Sequence, residues 1–548
     1  MQAVVSSHEI ATDAGMRMLE RGGTAADAAV AVAAVLSVVE PWFSSALGGG
    51  TWALYYDADR QEVTSLNGVG PTGSKATVSD YARRAGDAGM HQANVPGAWD
   101  GWMLWLERYG VLGLDEILDP AIEAAQEGYA VSAQMESWLS RQSDAVRSRP
   151  DTARIYAPLG TLLGEGDTVF QYDMADTFQG LSEAYLNAEG RGRERAVRAA
   201  RDHFYRGPIA EAIVSFSDRH GGYLTQGDFS AFEAEIVAPI YIDYDDDIQV
   251  FQSPPNSQGI TMLLALNILK QYDLSEMDID SADYVHLHTE ATKLAFSDRY
   301  YHVGDPDRID VPVAELLSGE HADRQRSRID MESAQHWPIA DGFDPVDPDM
   351  AHTTTFHVVD RYGNAAAVTT SLGAQFFVVG DTGIHINHRM RFLALRDGDP
   401  NQVAPGYKVR HTSNPYMAFR NGKIFIAGGN TGADTQPQGQ TQQFLNVVEF
   451  GLSPQEAVSR PRFVSTAFPS TVFSYQVRNS LQMEEGFSSA VIQDLRSRGH
   501  TVVIGEGTFG SAHMIVIDPE GSDAHLGVEP RNDVSKGLIN RPADRAEN

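Results

Sequence analysis

Two neighbouring β-rich stretches in the second half of the chain constrain the fold most. The sequences "TTTFHVVD" and "AAAVTTSL" consist of β-branched and apolar residues, and "RYGN" between them is a turn signal. They predict a β-hairpin whose strands flank residues 360–364. Its first strand opens with three consecutive threonines, beginning at Thr353.

The segment that precedes this hairpin differs in character. Residues 318–350 are polar, acidic and poor in β-branched side chains, which predicts an exposed and poorly ordered segment. Cleavage of the chain at the end of such a segment would leave a threonine as a new N-terminus. Its free α-amine, with a pKa of about 8, could take the proton of its own hydroxyl and so activate it as a nucleophile. Threonine is common in strands, so the hairpin alone leaves an ordinary structural role open.

An apolar, alanine-rich stretch near the start of the chain, residues 25–39, predicts a buried helix. It contains Asp27 and is shorter than the roughly 20 residues that a membrane span needs, so we expect no membrane segment. The middle of the chain, from about 100 to 350, is mainly helical in pattern, and the remainder is rich in strands. The chain is long enough to bury a sizeable core.

Composition excludes several classes of partner and site. The net charge is −32, from 74 acidic and 42 basic side chains, so nucleic acid and anionic membranes are poor partners. The lack of cysteine excludes disulfides and thiolate chemistry. The glycine-rich stretches have neither the lysine of a P-loop nor the spacing of a dinucleotide site, so no nucleotide or other cofactor is expected. His286, His288 and Glu290 suggest a metal, but two histidines two residues apart on a helix do not face one ion, and no metal is expected.

The predicted hairpin resembles the start of the small subunit of the γ-glutamyltransferases, which are N-terminal-nucleophile hydrolases. That start runs roughly Thr-Thr-His-x-x-Val-x-Asp-x-x-Gly-Asn-x-x-x-x-Thr-x-[Thr/Ser]. When the two are aligned without gaps on Asp360, Gly363 and Asn364, the first threonine of the motif falls on Thr353. Ser371 then takes the position of a second hydroxyl that helps to activate the nucleophile in the family.

The resemblance covers nearly the whole chain in order. It begins in residues 6–50, which include "VVEP" and "LGGG", and continues through "ANVPGAWDGW", "PPNSQGITM", "GLSPQEAVSRPRF" and "HLGVEPRND". It implies the four-layer αββα sandwich of the N-terminal-nucleophile hydrolases. It also implies self-cleavage between His352 and Thr353, which would give a large subunit, 1–352, and a small subunit, 353–548, intertwined in one domain.

A glycine-containing loop is the expected oxyanion hole. The sequence "AGGNTGADTQPQ" resembles the family's glycine-pair loop, and its two donor positions fall on Gly432 and Ala433. The second position is normally glycine, but alanine keeps its backbone N–H, which is the group that stabilises a developing oxyanion. A plain turn between a strand and the next helix is the alternative.

The substrate-binding positions depart from the transferase pattern. Asn67 stands where an arginine would bind the α-carboxylate of a glutamyl group, and Arg389 and Arg391 stand where an amide and an acid would bind its α-amine. Cations there would repel an ammonium and attract a carboxylate, although salt bridges at the surface are the alternative. Thr412 and Ser413 lie in place of the family's serine pair. These features are more similar to the acylase-like and oxamate-hydrolase-like branches.

The resemblance implies a self-processing amidohydrolase or acyltransferase. It would form an acyl-Thr353 ester from a γ-glutamyl or similar small acidic amide and pass the acyl group to water or an amine. Two alternatives stay open: an acylase or oxamate-type amidohydrolase that is not specific for glutamyl groups, and an uncleaved, non-catalytic homologue. The expected partners are a small-molecule amide and the protein's own cleaved subunit, with a higher oligomer possible. The first residues lack the basic start and apolar core of a signal peptide. The expected location is therefore cytoplasmic, or periplasmic or secreted if a leader has been removed.

Overall fold

The computed structural model describes residues 1–84, 87–336, 353–373, 376–468, 479–505, 509–521 and 523–541. The described strands, in chain order, are β1 (Gln2–Ser6), β2 (Gly50–Asp57), β3 (Glu62–Gly68), β4 (Tyr129–Ala130), β5 (Thr168–Val169), β6 (Glu235–Val237), β7 (Ile240–Asp243), β8 (Ile248–Gln252), β9 (Thr354–Val359), β10 (Ala365–Ser371), β11 (Tyr416–Arg420), β12 (Lys423–Asn430), β13 (Phe463–Ser465), β14 (Ser480–Met483), β15 (Thr501–Ile504), β16 (Ala512–Ile517), β17 (Ala524–Gly527) and β18 (Lys536–Asn540).

The described helices follow the pattern that the sequence predicts, with most of them between residues 98 and 326. In chain order they are α1 (Glu9–Glu20), α2 (Ala25–Val39), α3 (Val78–Ala82), α4 (Ala98–Tyr109), α5 (Leu114–Glu127), α6 (Ala133–Arg141), α7 (Ser143–Ser148), α8 (Pro150–Tyr156), α9 (Tyr172–Glu189), α10 (Arg193–Tyr205), α11 (Pro208–Arg219), α12 (Gln226–Ala231), α13 (Ile260–Leu269), α14 (Ala282–His302), α15 (Val313–Leu316), α16 (Gly319–Arg326), α17 (Gln436–Val448), α18 (Pro454–Ser459) and α19 (Ser489–Ser497).

Two large sheets form the centre of the described structure. The first has the order β18-β1-β9-β10-β2-β3-β6 and the second has the order β17-β16-β12-β11-β8-β7. Apolar side chains from both sheets pack between them, including Val5 and Leu54 from the first and Met417 and Ile515 from the second. Helices α1, α2 and α4 cover the outer face of the first sheet, and α13 and α17 cover that of the second. This arrangement is the predicted αββα sandwich.

Helix α2 is buried along its whole length and supports the middle of the first sheet. Thr24 and Asp27 form a capping box at its N-terminus, which satisfies backbone donors that a buried helix cannot expose to water. All of its residues are buried, and they pack against the outer faces of β9 and β10, for example against Phe356 and Val368. The predicted bounds, 25–39, match the structure. No described helix is long and apolar enough to cross a membrane.

The predicted hairpin is formed by β9 and β10, which pair antiparallel. Asp360 shapes its turn by accepting hydrogen bonds from the backbone N–H groups of Tyr362 and Asn364 at 2.8 and 3.0 Å. The other carboxylate oxygen of Asp360 accepts from the backbone N–H of Ala25, the first residue of α2, at 2.8 Å. A carboxylate at a helix N-terminus is stabilising. The turn is therefore fixed to the supporting helix.

The prediction of a poorly ordered segment before the hairpin is wrong for residues 318–336. These residues contain α16 and pack against α14. The side chain of Gln325 is buried, and its Nε2 donates to both carboxylate oxygens of Asp298 at 3.0 and 2.9 Å. Most side chains of this segment are exposed, as the composition predicts, but the backbone is ordered because a few residues such as Gln325 find buried partners. Residues 337–350 lie outside the described residues.

Candidate active site

Thr353 lies immediately before β9, near the centre of the first sheet. Its side chain is buried, and its Oγ1 lies 2.8 Å from the Oγ of Ser371, the last residue of β10. Thr354 pairs with Thr370 in the hairpin, so Thr353 and Ser371 are the next pair and point to the same face. The hairpin thus brings two hydroxyls together. His352, on the other side of the expected cleavage site, lies outside the described residues.

Two further side chains contact this pair of hydroxyls. Gln436, the first residue of α17, donates from Nε2 to Oγ1 of Thr353 at 3.3 Å. Arg389, in a short 3₁₀ helix, donates from a guanidinium nitrogen to Oγ of Ser371. Burial lowers the pKa of Arg389 to about 9, with a smaller effect from the charge of Arg391, so the side chain is still a cation at neutral pH. A buried cation at this position favours negative charge on the neighbouring oxygens.

The loop between β12 and α17 contains the predicted oxyanion-hole positions. Gly432 has φ +99° and Ala433 has φ +51°. Both values lie in the left-handed region, which glycine adopts freely and alanine does not. A methyl group on Gly432 would lie 2.3 Å from Oγ1 of Thr435. One 3₁₀ turn separates this loop from Gln436, which contacts Thr353, so the loop and the hydroxyl pair lie close to each other.

Buried side chains hold this loop from behind. Gln258 donates from Nε2 to the backbone carbonyls of Ala433 and Thr412, both at 2.8 Å. Arg299 forms a two-pronged ion pair with Asp434 at 2.5 and 3.1 Å, and it also donates to Oε1 of Gln258. Both partners of the ion pair are fully buried. The cost of removing two charges from water offsets much of their attraction, so such a pair fixes a conformation more than it adds stability. Here it fixes Asp434, the residue that follows Ala433.

The segment that contains Thr412 and Ser413 borders the same region. Both residues are buried, and their hydroxyls have no hydrogen-bond partner among the described residues. His411 beside them is buried, and its pKa lies well below the usual value because of burial and then because of the charge of Arg389. His411 lies next to Gly50, since a Cβ atom added to that glycine would be 3.4 Å from Nε2 of His411. Gly50 in turn pairs with Ser371, the last residue of β10. The segment therefore lies close to the Ser371 end of β10, with both hydroxyls buried.

The two remaining predicted binding positions differ in their surroundings. Asn67 is the penultimate residue of β3, two strands from β10, and its Nδ2 donates to Oδ1 of Asn256 at 3.4 Å. Its own Oδ1 accepts from the backbone N–H of Val69 at 3.2 Å. Asn67 thus uses its polar atoms within the protein. Arg391 is half-buried and close enough to Arg389 for its charge to act there.

Comparison with known proteins decides the family. The family model described as gamma-glutamyltranspeptidase matches residues 11–537. The chain belongs to the gamma-glutamyltranspeptidase family. Among its relatives, the glutathione hydrolase-like YwrD proenzyme of Bacillus subtilis (strain 168) is 34% identical over 541 residues, which cover 97% of each chain. The oxamate amidohydrolase proenzyme of Klebsiella pneumoniae subsp. pneumoniae is 30% identical over 531 residues, which cover 94% of each chain.

Comparison with a solved structure supports the same fold. The crystal structure of cephalosporin acylase from Bacillus halodurans superposes with a TM-score of 0.86 at 30% identity, and the match covers 99% of this chain and 96% of that one. The predicted N-terminal-nucleophile hydrolase fold is therefore confirmed. Membership of the gamma-glutamyltranspeptidase family also makes this protein an amidohydrolase or acyltransferase, as the sequence predicts.

The site brings together some predicted residues and adds two that the sequence reasoning missed. Thr353, Ser371 and Arg389 form one hydrogen-bonded cluster. Gln436 was missed, although its place at the first helical position after the glycine-pair loop could have indicated it. Gln258 lies in the family-like sequence "PPNSQGITM", but nothing in that sequence indicates that its amide reaches the loop.

A buried cluster outside this site has the composition of a metal site. The donor atoms of His286, Glu290 and His500 lie within 4.8 Å of one another. Of the residues that the sequence suggests, His286 and Glu290 belong to this cluster and His288 does not. Residues four apart lie on the same face of a helix, whereas residues two apart do not. However, Lys293 forms an ion pair with Glu290 at 2.6 Å, and the rings of His286 and His500 are hydrogen-bonded at 2.8 Å. The ammonium group occupies the place of a cation, so these residues do not fit a metal ion.

Proposed function

We propose that this chain cleaves itself between His352 and Thr353 and then acts as an N-terminal-threonine amidohydrolase through an acyl-Thr353 ester. The observation that carries the proposal is the 2.8 Å contact between Oγ1 of Thr353 and Oγ of Ser371. Gln436 donates to the first hydroxyl and Arg389 to the second. Donors and a buried cation around one hydroxyl stabilise the negative charge that it develops on losing its proton. A threonine with a purely structural role needs no such surroundings.

The proposed reaction uses the amine of Thr353 as its base. The amine takes the proton of the Thr353 hydroxyl while the oxygen bonds to the amide carbon, and the carbonyl oxygen becomes an oxyanion. The backbone N–H groups of Gly432 and Ala433 are the proposed donors to it, and one such donor is worth about 2.7–4 kcal/mol. The ammonium then gives its proton to the leaving amine as the C–N bond breaks. Water or an amine attacks the resulting ester with the same base and restores the threonine.

The fold supports a mature protein of two associated chains, 1–352 and 353–548. Strand β1, from the first chain, lies between β9 and β18, which belong to the second. In the other sheet, β8 from the first chain pairs with β11 from the second. Both sheets therefore contain strands of both chains, and cleavage would leave every one of these pairings intact.

The charges near the nucleophile support an acidic acyl group without an ammonium group. Only two hydrogen bonds separate the guanidinium of Arg389 from Oγ1 of Thr353, and Arg391 adds a second positive charge nearby. A carboxylate close to the scissile carbonyl would be attracted there, and an ammonium would be repelled. Asn67 supplies no cation for the α-carboxylate of a glutamyl group. An oxamate-like or short dicarboxylic amide is therefore the proposed substrate class, and one relative is named oxamate amidohydrolase.

The test compares three amides on the purified protein: oxamate, a glutaryl anilide and the γ-glutamyl anilide of equal length. We expect higher kcat/KM for the two substrates without an ammonium group. Arg389→Ala should lower kcat/KM for them by roughly one to two powers of ten, because a charge-assisted hydrogen bond contributes about 1.5–3 kcal/mol. Acid-quenched wild type should carry the acyl group on the peptide that begins at Thr353. A strong preference for the γ-glutamyl compound would overturn the proposed substrate class.

A further inference from the structure

A buried carboxyl group lies next to the start of β9 and has no part in the reaction described above. Glu40, the residue after α2, is 1% exposed, and its Oε2 accepts a hydrogen bond from Oγ of Ser7 at 2.6 Å. The same hydroxyl of Ser7 lies 2.7 Å from Oγ1 of Thr354. Thr354 directly follows Thr353. Two hydrogen bonds thus connect the Glu40 carboxyl to the neighbour of the nucleophile.

The residues of this chain of contacts are held in place from several parts of the sequence. Asn532 donates from Nδ2 to the backbone carbonyl of Ser7 at 2.9 Å. The backbone carbonyl of Glu40 accepts from the N–H groups of Phe43 and Ser44 at 2.9 and 3.1 Å. Ser7 and Glu40 lie in the first of the family-like stretches and Asn532 in the last, and the reaction described above uses none of them. These contacts hold the backbone at Ser7 and Glu40, so the two side chains meet in a fixed geometry.

The ionisation state of Glu40 sets the direction of these hydrogen bonds. A carboxylate only accepts, and a hydroxyl has one proton to donate. When Glu40 is ionised, Ser7 donates to it, and Ser7 must therefore accept from Thr354. A protonated Glu40 can donate instead, so the fixed direction is lost. Oε1 of Glu40 has no partner among the described residues, so the direction depends on the contact with Ser7.

Glu40 can change its ionisation state near neutral pH. Burial raises its pKa to about 7, and the nearby hydroxyls of Ser7 and Thr354 lower it by a smaller amount. Next to Ser7, His8 is buried, and burial lowers its pKa to about 4. It is therefore neutral in this range, and its Nδ1 accepts from the N–H of Ile10 in α1. Of these two side chains, Glu40 is therefore the one whose charge changes in this range.

We propose that Glu40 is a positioning residue for the nucleophile, which acts through the hydroxyls of Ser7 and Thr354 and supports catalysis only when it is ionised. The inference rests on the proposed function of Thr353. Its consequence is that two groups must lose a proton before turnover: the carboxyl of Glu40 and the amine of Thr353, whose ordinary pKa is about 8. Activity should therefore fall faster with decreasing pH than one titrating group allows.

The experiment measures kcat/KM from pH 5.5 to 9 on fully cleaved enzyme. On the acid side, log kcat/KM of the wild type should rise with a slope of about two, because both groups titrate. Glu40→Gln keeps the size and removes the titration, so its slope should be about one. Thr354→Val breaks the connection and should give the same slope of about one, whereas Thr354→Ser, which keeps the hydroxyl, should restore a slope of about two.

A neighbouring buried hydroxyl supplies the matched control. Oγ1 of Thr12 lies 2.7 Å from Oγ of Ser6, the residue before Ser7. This hydrogen bond does not involve Thr354. Thr12→Val should lower the thermal midpoint and keep the slope of the wild type. A slope of two in both Glu40→Gln and Thr354→Val would overturn the proposal, as would a slope of one in Thr12→Val. If Glu40→Gln does not fold, Thr354→Val and Thr354→Ser decide. An active Thr353→Ala enzyme would contradict the proposed function itself, whatever the slopes.

Discussion

Gln436 and Thr353 belong to different layers of the sandwich and yet are hydrogen-bonded, with 3.3 Å between Nε2 and Oγ1. Gln436 opens α17, which covers the second sheet, and Thr353 precedes β9 in the first. The contact therefore joins the α17 layer to the first sheet at the site. It also places a neutral donor on the hydroxyl that the proposed mechanism activates.

We expect Gln436→Ala to lower kcat by roughly one to two powers of ten, because a hydrogen bond to an oxygen that becomes charged is worth about 1.5–3 kcal/mol. Steady-state kinetics on cleaved enzyme measures this. Gln442→Ala is the control, since Gln442 lies in the same helix and donates to the backbone carbonyls of Gln438 and Phe463. Equal decreases of kcat in the two variants would show that Gln436 only stabilises α17 and does not assist the nucleophile.

Removal of the second hydroxyl should affect turnover more than binding. Ser371→Ala should lower kcat by about 10²–10⁴-fold with little change in KM, which is the range of general acid–base assistance. Ser371→Thr keeps a hydroxyl and should recover much of the activity. A kcat of Ser371→Ala within about twofold of wild type, far below that range, would make Ser371 an ordinary strand residue.

Substitutions at Gly432 and Ala433, the proposed oxyanion-hole residues, should have opposite effects. Gly432→Ala should lower activity strongly, because the methyl group would lie 2.3 Å from Thr435 at a φ of +99°. Ala433→Gly should keep activity and raise the free energy of unfolding by up to about 1 kcal/mol, since it removes a left-handed alanine at φ +51°. Kinetics and denaturant unfolding test both. Loss of activity in Ala433→Gly would contradict the assigned backbone role.

The local part of the site could be predicted from the sequence, because it depends on one hairpin. The alternation of β residues and the Asp360–Asn364 turn set the register, and the register alone brings Ser371 opposite Thr353. Helix α2 was equally clear, since an apolar, alanine-rich stretch of this length leaves few alternatives. Both predictions succeed because they depend on residues that are close to one another in the sequence.

The parts that could not be predicted depend on contacts between distant segments. Gln436 is 83 residues from Thr353 in sequence, and a glutamine in a polar loop gives no sign of its partner. Gln258 holds the oxyanion loop from 175 residues away. Glu40 stands in an apolar stretch where only the fold shows that its carboxyl meets Ser7. The error about order at residues 318–336 has the same cause, because the contact of Gln325 with Asp298 in α14 joins distant segments.

Buried histidines should make the protein sensitive to acid. Burial lowers the pKa of His288, His385 and His500 to about 3 and that of His8 and His513 to about 4. Unfolded histidine binds a proton near pH 6.5, so the stability from these groups is complete above that pH and is lost as the pH falls toward 4. Each contributes up to about 1.4 kcal/mol per pH unit.

Glu40 acts in the opposite direction, because burial raises its pKa to about 7. It adds stability as the pH falls through that value, as do Asp100 and Asp360, whose pKa burial also raises, but the five histidines act together in the opposite direction. Denaturant unfolding at pH 7.5, 6 and 5 should therefore show a steep decrease, and His288→Asn should reduce the slope by about one proton. A free energy of unfolding that is constant between pH 7.5 and 5 would contradict this account.

The most direct test of the central claim is the N-terminal sequence and intact mass of the purified protein. We expect two associated chains, and the second should begin with Thr-Thr-Thr at Thr353. Thr353→Ala should remain a single chain without turnover, because one hydroxyl attacks first its own peptide bond and then the substrate, whereas Thr353→Ser should retain some of both activities. A second chain that begins at Thr354 or Thr355, or an active enzyme that is never cleaved, would contradict the account.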